Sequence, residues 1–260
     1  MGRYPNARFR IQNAMSPARP PNLRCSSPGG GRAGGTAAAR IQAVTFDVGG
    51  TLIQPWPSVG HVYAEVAARN GLRGLSPALL NRRFARAWRA LKNFNHRRSE
   101  WSALVDETFR GLANPPPGKT FFPQLYQCFA EPDAWRIFDD VRPALEQLHG
   151  RGIRLAVISN WDERLRPLLR RLGLAKFFCT VVVSCDLGHP KPSPLIFRAA
   201  ARALQLPPQA ILHVGDSFVM DVQGARAAGF RALLLNRGRT GGRKQSICRL
   251  TDVLAHLVTT

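Results

Sequence analysis

The run Ala43-Val44-Thr45-Phe46-Asp47-Val48-Gly49-Gly50-Thr51-Leu52-Ile53 constrains this chain more than any other stretch. An apolar, β-rich opening meets a carboxylate, two glycines and a threonine. A short buried strand that stops in a tight turn has this composition. Glycine has no Cβ, so the backbone there can come close to a ligand. Asp47 is therefore expected at the carboxyl end of a strand, where open α/β sheets bind their ligands.

The chain beyond residue 135 supplies the rest of such a sheet. Strands are expected at 153–159, 179–184, 211–215 and 231–235. Helical spacing falls at 141–149, from Asp162 through Leu172, at 194–204 and at 222–228, with a last helix from Thr251. Strands alternating with helices imply an α/β fold with a doubly wound parallel sheet. Between residues 55 and 135 the pattern is helical only. A helix over 61–70 ends at Gly71, and Ser76-Pro77 opens a second that carries Leu80, Phe84, Trp88 and Leu91. Ser99 caps a third with Trp101, Leu104, Val105 and Phe109, and 121–129 forms a fourth helix or a turn. The aromatic stripe reads as the core of this insert, the alternative being the wall of a pocket. The expected division is a tail at 1–40, a core of 41–54 and 136–260, and a helical insert at 55–135.

Composition narrows the function classes. Hydrophobic residues make up 45% of the 260, enough for a sizeable core. No stretch approaches the roughly 20 apolar residues of a membrane span. The net charge of +21 suits a basic surface that draws anionic substrates. It comes without a nucleic-acid module or a basic run interleaved with aromatics, so no nucleic-acid partner is expected. Cys25, Cys128, Cys179, Cys185 and Cys248 have neither zinc-ligand nor redox spacing and read as reduced thiols of a cytoplasmic protein. Residues 1–40 hold seven arginines and no acid, and are rich in Pro, Gly, Ser and Ala. Such a segment is expected to be a disordered, dispensable tail; an organelle-targeting segment is the alternative. Oligomeric state has no signature in the sequence.

Four expected strands end in polar residues of a particular kind. Asp47 and Thr51 follow the first, and Ser159 and Asn160 the second. Lys191, between Pro190 and Pro192, comes after the third, and Asp216, Ser217 and Asp221 after the fourth. If these strands are neighbours, the groups converge. Three carboxylates with one lysine and the two hydroxyls of Thr51 and Ser159 suit magnesium plus a phosphoryl group. Singly each signal is weak: Ser159 could cap a helix and Asp221 could be a first-turn acid.

In this order the residues resemble the haloacid dehalogenase-like hydrolase superfamily over about residues 41–236, and the helical insert resembles that superfamily's cap. The resemblance implies a magnesium-dependent phosphohydrolase acting on a small phosphorylated molecule. It implies Asp47 as the nucleophile that forms an aspartyl-phosphate, and Ser159 as the phosphate-binding hydroxyl with Asn160 beside it. It implies Lys191 as the residue that steadies nucleophile and phosphate, Asp216 as a magnesium ligand and Asp221 as a second acid at the metal site. Thr51 joins the substrate-binding residues. The run Ser159-Asn160-Trp161-Asp162, with Arg164 and Leu165 after it, looks closest to one branch of that superfamily.

One position departs from the pattern. Phosphatases of the superfamily carry a second aspartate two residues after the nucleophile, and this chain has Gly49 there. Glycine cannot transfer a proton, though its carbonyl oxygen can still coordinate magnesium. His61, Glu65 or His189 are the candidate substitutes. Three other functions stay open: a dehalogenase, whose halide needs no proton; a phosphonate hydrolase, which needs a Schiff-base lysine such as Lys92 or Lys119; and a binding module that has lost catalysis.

Overall fold

Asp47 lies one residue beyond β1 (Ala43–Phe46), a strand buried along its whole length. Burial on both faces is what a central parallel strand requires. In the computed structural model, which describes residues 40–92, 94–238 and 245–257, β1 is flanked by two parallel neighbours. These are β4 (Arg154–Ser159) and β6 (Ile211–Gly215). Outside them lie β5 (Thr180–Val183), which runs into the one-turn helix α7 (Ser184–Leu187), on one side, and β7 (Arg231–Leu235) and β8 (Ser246–Ile247) on the other. The order is β5-β4-β1-β6-β7-β8, with every pairing parallel. From β1 the chain builds outward on one side, then crosses to build the other. The strand order reverses at β1, and the crevice beyond that point is where such sheets bind ligands.

Side-chain alternation along β1 feeds two cores. Val44 and Phe46 join Leu155, Val157, Leu212 and Val214 under α5 (Val141–Gly150) and α6 (Leu165–Arg171). Ala43, Ala156 and Ile211 join Ile196, Phe197, Ala200 and Leu204 of α8 (Pro194–Leu204) on the other face. Ser193 caps α8 by accepting the Leu195 N–H, and Pro194 takes the first helical position, where no N–H is needed.

The helical insert leaves and returns through a small antiparallel pair, β2 (Ile53–Pro55) and β3 (Trp135–Ile137). It contains α1 (Val59–Arg69), α2 (Pro77–Ala90), α3 (Arg98–Thr108) and α4 (Phe122–Cys128). These helices share their own apolar cluster, with Tyr63, Leu80, Val105, Phe109, Phe121 and Leu125 at its centre.

Three expectations about helix ends are corrected. Ser99 does not cap α3; Arg97 holds that position, and its N–H is taken by the Glu100 carboxylate at 2.9 Å. The helix expected at 222–228 begins earlier, as a π-helical turn over Phe218–Gln223 that runs into a short α-helix, α9 (Gly224–Ala227). The last helix is a 3₁₀ segment over Leu250–His256. Apart from Arg40, the expected tail at 1–40 lies outside the described residues.

Candidate active site

Each polar strand end reaches the same crevice. Register places Phe46 beside Val157 of β4 and Val214 of β6, so Asp47 emerges between the ends of both neighbours. Its backbone N–H still bonds the Val214 carbonyl, at 3.0 Å, which fixes where the carboxylate leaves the sheet. Ser159 ends β4 and donates from Oγ to Asp47 Oδ1 at 3.3 Å. Thr51, held in the turn, donates to Asp47 Oδ2 at the same distance of 3.3 Å. Lys191 Nζ lies 2.6 Å from Asp47 Oδ1 and 2.6 Å from Asp221 Oδ1.

Asp221 is locked from behind. Its Oδ2 accepts the N–H of Ser217, the cap residue of the π-helical turn that carries Asp221, at 2.9 Å. Its Oδ1 also meets His213 Nε2 at 3.2 Å, and His213 Nδ1 faces Thr45 Oγ1 at 2.9 Å. Burial lowers the His213 pKa, so the ring is neutral and accepts from Thr45 while donating to Asp221. His213 went unnoticed in the sequence because a histidine inside an apolar strand reads as core. The chain comes close enough here that a Cβ on Gly215 would sit 2.2 Å from the Asp221 carboxyl carbon.

The charges support one another. Burial alone would lower the Lys191 pKa, but Asp47 and Asp221 outweigh it and hold the ammonium well above its usual value. Burial alone would raise Asp221; Lys191 and the His213 hydrogen bond win and hold it well below the usual carboxylate range. For Asp47, which shares Lys191 with Asp221, burial prevails and the pKa is raised. Asp216 is the solvent-facing carboxylate. Its pKa is raised to about 7 by partial withdrawal from water in the cleft and then by repulsion from Asp47 and Asp221.

Asp47, Asp216 and Asp221 each offer an oxygen within 4.8 Å of the others. A hard-cation site takes such oxygens, and a cation would relieve the repulsion among them, so the donor set fits magnesium. Both oxygens of Asp47 and both of Asp221 already accept hydrogen bonds, which makes the exposed Asp216 the most open donor of the three. Gly49 lines the same cavity.

Two glycines in the turn have opposite standing. Gly50 has φ of +79°, and a Cβ there would sit 2.2 Å from Asp216 Oδ2. Gly49 is outside the left-handed region, and a Cβ there would meet only the Trp161 ring, at 3.4 Å. The backbone does not require a glycine at position 49.

Other expected residues divide. Asn160, expected among the substrate-binding residues, lines the cavity, and its side chain is engaged by the backbone of Lys191. Asp162 does not sit at the N-cap of α6; it accepts the Arg164 N–H and pairs with that guanidinium. Among the proposed proton carriers, His189 lines the cavity. His61 instead faces Ser58, and Glu65 pairs with Arg69, both on the surface. Lys92 and Lys119 are exposed, and among the described residues Lys191 is the lysine that lines the cavity.

The cavity has a volume of about 970 Å³ and extends from Asp47 and Lys191 into the insert. Part of the aromatic stripe expected as core faces it: Phe84, Trp88 and Trp101, joined by Phe94 and His96. His96 is missed by periodicity because it sits in the turn between α2 and α3.

A doubly wound parallel sheet with an inserted helical cap, and an Asp-Ser-Lys-Asp cluster at its switch point, defines a phosphatase-like hydrolase. A haloacid dehalogenase-like hydrolase family profile matches residues 41–229, and the chain belongs to that family. The human haloacid dehalogenase-like hydrolase domain-containing protein 3 is 36% identical over 208 residues, 75% of this chain and 82% of that protein. A glyceraldehyde 3-phosphate phosphatase of Methanopyrus kandleri is 33% identical, over 76% of this chain and 85% of its own. Among solved structures, the HAD-hydrolase YfnB of Bacillus subtilis, bound to magnesium, superposes with a TM-score of 0.67 at 21% identity, over 84% of this chain and 99% of that one. That last likeness is one of fold. Among the described residues no helix is long and apolar enough to cross a membrane.

Proposed function

We propose that this chain is a magnesium-dependent phosphohydrolase that acts on a small phosphorylated molecule through an aspartyl-phosphate on Asp47. The observation that carries it is the surrounding of Asp47: an ammonium at 2.6 Å and two hydroxyls at 3.3 Å. Donors and positive charge fixed where phosphoryl oxygens would lie stabilise charge at that point without reorganising. The hydrolase family to which the chain belongs and a relative named as a phosphatase support the phosphohydrolase part of this reading.

Asp47 attacks phosphorus; the bond from phosphorus to the leaving oxygen breaks, and its electron pair goes with the leaving group. Water then attacks the phosphorus of the acyl phosphate, which releases inorganic phosphate and restores the carboxylate. Ser159, Thr51 and Lys191 orient the phosphoryl group, and Lys191 also balances the charge of Asp47 and Asp221. Asp47, Asp216 and the Gly49 carbonyl would hold magnesium, with Asp221 supporting from behind. When bound, the cation supplies charge that draws the carboxylate and phosphoryl oxygens together. Asn160 positions Lys191. Gly49 carries no proton, so leaving groups that depart readily as anions are favoured. We take 41–54 and 136–260 as the catalytic core and 55–135 as the cap, in a cytoplasmic protein.

Hydrolysis of 4-nitrophenyl phosphate with magnesium and with a chelator tests this. Turnover that requires magnesium and disappears in Asp47→Asn is expected. Turnover indifferent to either change would overturn it.

A further inference from the structure

The part of the cavity wall that the insert supplies is aromatic, and it contains two buried polar atoms without a hydrogen-bond partner among the described residues. Trp88 and Trp101 stack at 5.7 Å, and Phe94 stands edge-on to Trp101 at 4.9 Å and to His96 at 4.7 Å. These four residues line the same cavity as Asp47, Ser159 and Lys191. His96 is only 7% exposed, yet among the described residues its Nδ1 has no hydrogen-bond partner, and neither has Nε1 of half-buried Trp101. Buried polar atoms are normally paired, so two unpaired ones on one cavity wall call for a ligand atom. His96 also adopts φ of +63°, a left-handed conformation uncommon outside glycine. Backbone held in such a region tends to mark a functional position. Here it turns the imidazole inward from a surface loop. A dry apolar core would not need this arrangement, and a site for a small polar acid would not be walled by three indole and phenyl rings.

We infer that this wall is the leaving-group subsite, and that the substrate is an aromatic phosphomonoester whose ring carries a polar atom for Trp101 and His96. The inference rests on the phosphohydrolase assignment above. It also meets the chemistry at position 49: an aryl oxide leaves as a stable anion and needs little protonation, which suits a site with Gly49 in place of an acid. Flat rings gain both buried area and edge-to-face contacts against such a wall. The indole N–H can only donate, so the ring substituent that faces Trp101 is an acceptor.

Binding of non-hydrolysable phosphonates to the magnesium-loaded full chain, followed by calorimetry and tryptophan fluorescence, tests this. Phenylphosphonate should bind at least about 10-fold more tightly than methylphosphonate, and 4-nitrophenylphosphonate more tightly still. In Trp88→Ala the phenyl-over-methyl ratio should collapse. In Trp101→Phe and, separately, His96→Phe, the nitrophenyl-over-phenyl ratio should fall about 3-fold or more. Ratios within one variant cancel any general loss of site integrity, and the three variants do not share one folding risk. Equal binding of phenyl and methyl compounds overturns the subsite and leaves the phosphohydrolase standing. Ratios unmoved by the substitutions overturn it too. If no phosphonate binds in magnesium, the underlying assignment fails, and the subsite with it.

Discussion

Asn160 holds Lys191 by its backbone: the Asn160 Oδ1 accepts the Lys191 N–H at 2.7 Å, and its Nδ2 donates to the Lys191 carbonyl at 3.0 Å. This two-bond ring fixes where the lysine leaves its loop. From there Nζ reaches Asp47 and Asp221, both at 2.6 Å. A neutral amide at the end of β4 therefore sets the position of the cluster's one cation.

Asn160→Ala removes both bonds and leaves the Lys191 backbone groups unpaired. Unfolding free energy should fall by about 1–3 kcal/mol in a urea titration. Turnover of an aryl phosphate should fall at least about 10-fold, because misplacement of a positioned group acts on the transition state. Unchanged kcat in a destabilised variant would show that the ring is only structural.

Lys191→Met leaves two buried carboxylates without a counter-ion, a loss of about 3–5 kcal/mol near neutral pH. In the parent, the Asp221 pKa is lowered by folding, so its contribution is present above the usual carboxylate range and is lost as pH falls through the lowered value. The Lys191 pKa is raised by folding, so its contribution is full below the usual lysine value and is lost only as pH rises through the raised one. In the variant, burial and mutual repulsion raise both carboxyls, and acid relieves them by protonation. The gap in Tm between parent and variant should therefore narrow from about pH 7 to about pH 5, measured in a chelator by circular dichroism. A gap of constant size would separate the carboxylates from Lys191.

Much of this site is legible in the sequence. Asp47, Ser159 and Asp216 each follow an apolar run of strand length, and the runs at 211–215 and 231–235 form strands with those bounds. What is not legible depends on tertiary contact or on irregular backbone. The partner of Asn160 lies 31 residues away, and nothing local marks it. The π-helical turn over Phe218–Gln223 breaks the 3.6-residue period, so a helix read by spacing starts too late. The two-residue strand Ser246–Ile247 is too short to show any period. Phe84, Trp88 and Trp101 have helical spacing whether they face a core or a cavity, and only the packing of α2 on α3 decides between the two.

The adjacent glycines should respond differently to the same change. Gly50→Ala combines positive φ with overlap on Asp216, and should cost about 1–3 kcal/mol or more of stability. Gly49→Ala should stay within about 1 kcal/mol, since only the edge of Trp161 is touched. Thermal melts of the two variants decide this, and equal losses would contradict the local geometry.

Gly49→Asp introduces a carboxyl into a turn that can hold one. Turnover of an alkyl phosphate should rise roughly 10-fold or more, below the roughly 10²–10⁴-fold of an evolved general acid because the pocket is not built around the new carboxylate. An aryl phosphate should gain less, because its leaving group departs readily unprotonated. The added charge near Asp47 and Asp216 raises neighbouring pKa values, so the comparison is made across a pH series with a melting curve for each point. A folded, magnesium-binding variant with no gain on any alkyl phosphate would mean that Gly49 is not a missing acid.

The role of Asp47 is tested most directly by trapping it. The magnesium-loaded chain is mixed with 4-nitrophenyl phosphate, quenched in acid within milliseconds, and its peptides are analysed by mass spectrometry. The account predicts a phosphoryl group on the peptide that contains Asp47, formed only with magnesium and absent from Asp47→Asn. A phosphoryl group that persists in Asp47→Asn, or magnesium-dependent turnover in which Asp47 never carries one, would contradict it.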